Sequence, residues 1–209
     1  MGPGLRERKK ERTRQAIADT AISLFLARGF DEVSTADIAA AVEVSKPTLF
    51  RYFATKEDLV VHRFADHIGE SARVVRDRRD GETPLAALHR HFQEGLDRRD
   101  PITGLCDDAG VLAFHRLVYE TQSLRARLST VDEENAAALA EALAEATDDR
   151  GIRPRALAAQ VGAVWWALAR ANWTQLAEGR SAAEVHPEAR AAAADAFALL
   201  THGAAPHGY

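Results

Sequence analysis

Apolar residues recur at spacings of three and four along most of this chain, which is the periodicity of amphipathic α-helices. In the first such segment, from about Leu5 to Arg28, the apolar positions share one face, and Gly29 follows as a C-cap. That face consists of Ile17, Ala18, Ala21, Ile22, Phe25 and Leu26. No alternating Val/Ile/Thr-rich segment bounded by turn residues predicts a strand. The pattern predicts an all-α fold of about nine helices.

Two short helices are predicted next. Ser34, with Asp37 three residues later, forms a variant capping box that opens a helix over Thr35 to about Val42. Ser45 then caps a second short helix, with Pro47 in its first turn, where a missing N–H is harmless. A brief turn must join the two helices.

The second short helix has an apolar side and a polar side. Leu49 and Phe53, four residues apart, form its core side. Basic, hydroxylic and aromatic groups remain on the other faces, namely Lys46, Thr48, Arg51 and Tyr52. Two short helices of this kind, joined by a tight turn, are typical of a helix-turn-helix, whose second helix enters the DNA major groove.

The remainder of the chain reads as further helices separated by loops. Thr55 is predicted to cap a helix with the sequence KEDLVVHRFADHIGESARVV. The predicted loops are Asp77–Pro84, Leu96–Gly104, Asp148–Pro154 and Glu178–Pro187. They separate roughly five helices, two of them long; the later long helix contains Trp165, Trp166 and Trp173. It is apolar over much of its circumference, which favours a place in the core or against another subunit.

Charge is distributed unevenly along the 209 residues. Up to Lys56 the chain has ten Lys and Arg residues and seven Asp and Glu residues, a net charge of +3. The remainder has 17 basic and 24 acidic residues, a net charge of −7, and the two parts sum to the overall −4. Only the amino-terminal part is therefore a plausible nucleic-acid surface. Its first residues, RERKKERTR, suit either a solvated helix start or a basic arm that meets a phosphate backbone.

Other chemistries lack a supporting motif. The only cysteine is Cys106, so no intrachain disulfide or cysteine-type zinc cluster is possible, and a reducing compartment, the cytoplasm, is predicted. No apolar run is long enough to span a membrane, and the first residues lack the apolar stretch of a signal peptide. The pairs His62/His67 and His89/His91 lack the i,i+4 spacing of metal ligands on a helix. We predict no metal, no cofactor and no catalysis.

The stretch from Arg14 to Val60 resembles the DNA-binding domain of the TetR (tetracycline-repressor) family of bacterial regulators. The resemblance is carried, in order, by a first helix ending in RGF, a capped STADIA, VS before the second short helix, TLFRYF, and KEDL. It implies a helix-turn-helix DNA-binding domain over residues 1–56 and a helical domain over 57–209 that binds a small molecule and forms a homodimer. It further implies a palindromic double-stranded DNA operator and an effector that this sequence does not identify.

The resemblance also implies roles for individual residues. Ser34 and Thr35 would contact phosphate. Lys46, Pro47 and Phe50 would approach bases. Thr48, Arg51, Tyr52 and Lys56 would mainly hold the DNA backbone.

Two positions depart from the family pattern. Glu43 occupies the turn where the family usually has glycine, so the turn either avoids a left-handed conformation or accepts strain of about 1 kcal/mol. Phe50 replaces a frequent tyrosine and leaves only apolar contact, for instance with a thymine methyl.

The effector pocket is predicted from position along the chain alone. The candidate lining residues are Phe92, Leu112, His115, Trp165 and Asn172. The favoured function is a repressor released from its operator by a small molecule. The alternatives are a ligand-independent or activating regulator, and a helical ligand-binding protein that has no DNA binding.

Overall fold

The structure, a computed structural model, describes residues 4–203, without the side chains at positions 5, 6, 65 and 66. Residues 1–3 of the first predicted domain and 204–209 of the second lie outside the described residues. Residues 4–203 form ten α-helices: α1 Leu5–Arg28, α2 Thr35–Ala41, α3 Lys46–Tyr52, α4 Lys56–Val61, α5 Glu70–Arg76, α6 Pro84–Asp97, α7 Ala109–Glu120, α8 Gln122–Thr147, α9 Ile152–Ala177 and α10 Ala182–His202. Two 3₁₀ turns occupy His62–His67 and Pro101–Thr103. No strand occurs within residues 4–203, and the predicted all-α fold is confirmed.

Two predicted boundaries are wrong. The helix expected after Thr55 is interrupted by a 3₁₀ turn and by Gly69, whose left-handed φ of 70° ends one helix and begins another. The loop expected up to Pro187 is helical from Ala182 onward. There the capping box of Ser181 with Glu184 starts α10 five residues before the proline, and the helix continues through it.

The chain forms two compact units. The first comprises Met1–Asp66 and Ala113–Ser129, and the second comprises His67–Leu112 and Thr130–Tyr209. Both α7 and α8 have residues in each unit. The expected division after residue 56 stays a prediction.

In the first unit, α1 packs against α2 and α4, and α2 packs against α3. The apolar face predicted for α1 is buried from Ile17 to Phe25, while Leu26 is 40% exposed. Buried residues of α2, α3 and α4 complete this core: Ile38, Ala39, Leu49, Leu59, Val60 and Val61.

In the second unit, α6, α9 and α10 pack together, and α5 packs on α6. The core cluster includes Phe92, Leu96, Val161, Leu168 and Phe197. No helix among the described residues is long and apolar enough to cross a membrane.

The turn after Pro101–Thr103 lies against the backbone of α9. Gly104 has a φ of +73°, and a Cβ at this position would stand 1.9 Å from the carbonyl oxygen of Ala169. Next to this contact, the buried side chain of Asn172 donates to the carbonyl of Thr103 at 2.9 Å. Only glycine leaves room for the loop to approach α9 this closely.

Candidate nucleic-acid interface

Helix α3 has one buried side and one exposed side, as predicted. Leu49 and the C-cap residue Phe53 are 1% and 2% exposed, respectively. Lys46, Pro47, Phe50 and Arg51 are exposed, and Thr48 and Tyr52 are partly exposed. Phe50 has 46% of its surface open to solvent although its ring is apolar. Such a ring in a major groove has a suitable partner in the methyl group of thymine.

Two hydroxyl groups organise the start of α3. Ser45 is the N-cap, and its Oγ accepts from the backbone N–H of Thr48 at 3.3 Å. The two hydroxyl oxygens lie 2.9 Å apart and share one hydrogen bond. One of the two hydroxyl hydrogens therefore remains available to an external acceptor such as a phosphate oxygen.

The turn before α3 contains backbone strain. Glu43 has a φ of 54°, in the left-handed region that glycine adopts most easily. The turn therefore adopts the left-handed conformation instead of avoiding it, which costs about 1 kcal/mol. Glu43 is exposed, so its side chain does not offset that cost by burial.

The start of α2 is a complete capping box. Ser34 Oγ accepts from the Asp37 N–H at 3.1 Å, and both the hydroxyl and the backbone N–H of Ser34 donate to Asp37 Oδ2. These hydrogen bonds lower the pKa of Asp37. Both donors of Ser34 are thus engaged, and a phosphate contact requires its hydroxyl to turn away from Asp37. Thr35 is partly exposed beside it.

Lys56 has a structural role inside the first unit. Its ammonium group donates to the carbonyl oxygens of Phe30 at 2.7 Å and Val33 at 3.1 Å, and lies 4.1 Å from the centre of the Phe30 ring. An ammonium group has three donors, so one remains for a phosphate. Substitution of Lys56 would change stability as well as DNA affinity, which makes it a poor first test of a phosphate contact.

Arg51, at the outer end of α3, forms none of the ion pairs seen between described residues. The Arg51 guanidinium lies 5.8 Å from the Tyr52 ring centre, a cation–π arrangement, and the Arg51 side chain is exposed. Arg8, Lys9, Lys10 and Arg12 on the first turns of α1 are also exposed. All nine predicted DNA-contact residues lie in the first unit. Their individual contacts stay predictions.

The predicted effector residues are only partly brought together. Phe92 on α6 and Trp165 on α9 make an edge-to-face contact with ring centres 5.1 Å apart. The side-chain amide of Asn172 donates a hydrogen bond to the Thr103 carbonyl oxygen. The carbonyl oxygen of Leu112 accepts one from Trp173 Nε1 at 3.4 Å. Asn172 and the Leu112 carbonyl therefore have structural contacts that an effector would have to share or replace.

His115 belongs to the other unit. Its side chain is 5% exposed, it stacks on Tyr119 at 5.7 Å, and its Nδ1 has no hydrogen-bond partner. Burial lowers the pKa of His115 to about 4, so the imidazole is neutral at neutral pH. A neutral, unsatisfied ring nitrogen is suited to hydrogen bonding with a polar effector group.

The second unit also has a groove that the sequence did not reveal. It has a volume of about 840 Å³ and lies between the end of α8 and the start of α9, lined by residues such as Ala140, Ala144, Glu141 and Arg155. None of the five predicted effector residues lines it. Among the described residues, no group of three His, Cys, Asp or Glu side chains is arranged to hold a metal ion.

One contact near α3 was missed by sequence reasoning. Asp58, in the first turn of α4, accepts from Arg127 Nε at 2.8 Å. The position of Asp58 in a Thr-x-x-Asp capping box is visible in the sequence. Arg127 lies 69 residues away, and no local pattern indicates that pairing.

Comparison with known proteins gives three similarities across this architecture. The family model for bacterial regulatory proteins of the tetR family matches residues 17–62. The chain is 37% identical over 173 residues to the HTH-type transcriptional regulator TcmR of Streptomyces glaucescens, covering 81% of this chain and 76% of that protein. It is 30% identical over 179 residues to the HTH-type transcriptional repressor LfrR of Mycolicibacterium smegmatis, covering 85% and 86%.

A solved structure extends the similarity of the fold. The transcriptional regulator FadR of Bacillus subtilis, in complex with stearoyl-CoA, aligns with a TM-score of 0.55 and 15% identity. The alignment covers 88% of this chain and 95% of that one.

Proposed function

This chain belongs to the TetR family of bacterial regulatory proteins, and from that premise we propose that it is a homodimeric repressor that a small molecule releases from its operator. It is a DNA-binding transcriptional regulator, and its family consists of regulators rather than enzymes. The observation that carries the proposal is the exposed side of α3, where Lys46, Pro47, Phe50 and Arg51 project from a helix whose other side is buried.

Each side chain of α3 has a chemically distinct role in this proposal. Lys46, Pro47 and Phe50 lie near base edges, and Arg51 with Tyr52 and Thr48 binds phosphate oxygens. Ser34 and Thr35 meet phosphate at the start of α2, and Lys56 contributes its third donor. Two such helices in a dimer read successive major grooves about 34–36 Å apart, which requires a palindromic operator.

Release from the operator is a shift in population between two arrangements of the dimer, of which only one binds the operator. An effector lowers operator affinity if it binds more tightly to the arrangement whose two α3 helices are wrongly spaced. We place its site near Phe92 and Trp165 in the second unit, where the two rings make an edge-to-face contact. The relative with bound stearoyl-CoA supports an effector with a substantial apolar part.

Arg51 provides the first test of the interface. With four or five phosphates neutralised per protomer, operator affinity should fall with log salt at a slope of about −7 to −9. The Arg51→Ala variant should bind about tenfold more weakly and reduce that slope by about 2, one phosphate from each protomer. Fluorescence anisotropy on fragments selected from the DNA flanking the gene, at several salt concentrations, measures both quantities.

The matched control is Arg98→Ala after the end of α6, where the arginine is 56% exposed and lies 3.9 Å from Asp100. It removes the same charge and should leave affinity and slope within experimental error of wild type. If wild type selects no fragment over random competitor at low salt, either from the flanking DNA or from the whole genome, DNA binding by this chain is refuted. An unchanged slope in Arg51→Ala would refute the phosphate contact alone.

The dimer is proposed to form through α9 and α10. Both helices are long and expose apolar groups, including Trp166 and Leu199, each 39% exposed, and a series of exposed alanines. The double substitution Trp166→Glu with Leu199→Glu should convert the protein to a monomer in sedimentation velocity and weaken operator binding at least tenfold.

The control for this prediction is Ile68→Glu. Ile68 is 38% exposed, so the same change of apolar to acidic surface is made outside α9 and α10. This variant should remain dimeric. A dimeric double variant, or a monomeric wild type, would refute the proposed interface.

A further inference from the structure

We propose that Arg127 is a positioning residue for DNA binding, because its guanidinium group holds the carboxylate that closes the N-cap of α4 and thereby fixes the turn after α3. This inference rests on the proposed function, in which α3 reads the operator. Arg127 itself has no assigned contact with DNA. It acts through Asp58, and Asp58 acts through the backbone of α4.

The turn between α3 and α4 is short. Helix α3 ends at Tyr52 and α4 begins at Lys56, so three residues join them. The turn closes with a reciprocal cap: the N–H of Thr55 donates to Asp58 Oδ2 at 3.0 Å, and the N–H of Asp58 donates to Thr55 Oγ1 at 3.1 Å. A displacement of this cap therefore moves the end of α3 that carries Tyr52.

Arg127 binds the remaining oxygen of the same carboxylate. Its Nε donates to Asp58 Oδ1 at 2.8 Å, while the backbone of Thr55 uses Oδ2. The two oxygens thus join two separate elements, the cap of α4 and the first turns of α8. Burial by itself would raise the pKa of Asp58, but hydrogen bonds from Arg127 and Thr55 outweigh it, and the pKa is lowered.

This ion pair is unlike the other arginine–carboxylate pairs described in the first unit. The side chains of Arg127 and Asp58 are 35% and 18% exposed. Arg63 and Asp19 are 3.3 Å apart and about half exposed, and Arg28 lies 3.9 Å from Asp37 with both largely solvated. Shorter and more sheltered pairs are screened less by solvent and hold their partners more firmly.

The first turn of α4 is anchored twice. Lys56 attaches it to the carbonyl groups of Phe30 and Val33, and Arg127 attaches it to α8. Helix α8 continues without a break from Gln122 to Thr147, and its residues from Thr130 onward belong to the second unit. A shift or rotation of α8 consequently changes the position of Arg127 and is transmitted to the turn after α3.

A mutant cycle on operator affinity tests the inference. Arg127→Gln and Asp58→Asn should each weaken operator binding about tenfold. The double variant should bind no more weakly than the weaker-binding single variant, because both substitutions break the same ion pair. Arg127→Lys, which keeps the charge, should recover part of the affinity. The control Arg63→Gln breaks the solvated pair with Asp19 and should stay within twofold of wild type.

Amide hydrogen exchange supplies a readout that is independent of DNA. In Arg127→Gln the amides of Thr55 and Asp58 should exchange at least tenfold faster, while those in the middle of α1 keep their wild-type protection. All affinities are measured at least 10 °C below each variant's melting temperature, and if Arg127→Gln does not fold, the Arg127→Lys variant is compared alone.

The outcomes separate the two proposals. A wild type that binds no selected DNA refutes the proposed function and, with it, the positioning role. A wild type that binds, with folded Arg127→Gln within twofold of its affinity, refutes the positioning role alone. A lowered melting temperature with unchanged affinity would show that Arg127 serves stability only.

Discussion

The Gly104→Ala variant is expected to lose about 3–5 kcal/mol of unfolding free energy, a large share of the stability of a typical domain. Two costs add. An alanine at a φ of +73° is strained by about 1–2 kcal/mol, and its methyl group would stand 1.9 Å from the Ala169 carbonyl oxygen. All three of the nearest atoms belong to the α9 backbone, which cannot turn aside as a side chain would.

Relief of that overlap would separate the loop from α9. The hydrogen bond from Asn172 to the Thr103 carbonyl would lengthen, and both groups are buried. An unsatisfied buried partner adds about 1–3 kcal/mol to the loss. Thermal unfolding followed by circular dichroism should show a melting temperature about 10 °C below wild type.

The matched control is Gly179→Ala. Gly179 has a φ of +99°, but a Cβ there meets nothing within 4 Å. This variant therefore has the conformational strain without the overlap and should lose about 1–2 kcal/mol. Equal losses in the two variants would mean that the loop moves freely relative to α9 and would contradict the predicted rigid contact.

Acid should destabilise the wild-type protein through His115. The folded-state pKa is about 4 and the ordinary value is 6.5, so the unfolded chain binds the proton more tightly. For a histidine with a lowered folded pKa, the stabilisation is complete above pH 6.5 and is lost as the pH falls toward 4. Between pH 7.5 and pH 5 the unfolding free energy should fall by about 2 kcal/mol from this group alone.

The His115→Phe variant isolates that contribution. Phenylalanine does not titrate and preserves a ring beside Tyr119, whose centre lies 5.7 Å from that of His115. Urea unfolding at pH 7.5 and pH 5 should show a loss about 2 kcal/mol smaller in the variant than in wild type. Equal losses in the two proteins would show that His115 is not buried in its neutral form.

Local sequence determined much of the first unit. The caps at Ser34, Ser45 and Thr55 and the inward positions of Leu49 and Phe53 are all present. Such features depend on residues three or four positions apart, whose geometry a helix fixes by itself. For the same reason the exposed residues of α3 could be identified, although which of them touch DNA stays a prediction.

Competing local signals limited the prediction elsewhere. Gly69 interrupts a segment whose apolar pattern continued through it, and the Ser181 capping box starts α10 despite Pro187 in its second turn. At Glu43 the sequence left two conformations open, and the fold has the strained one. A pattern indicates which residues prefer a helix, but packing decides where unfavourable residues are tolerated.

Tertiary structure alone decided the long-range partners. Lys56 reaches carbonyls 26 and 23 residues away, and the pairs Asn172 with Thr103 and Arg127 with Asp58 each span 69 residues. Side-chain chemistry at these positions permits many partners, and the sequence has no period that selects one. The core brings the correct groups together, because buried polar atoms must find partners wherever apolar packing places them.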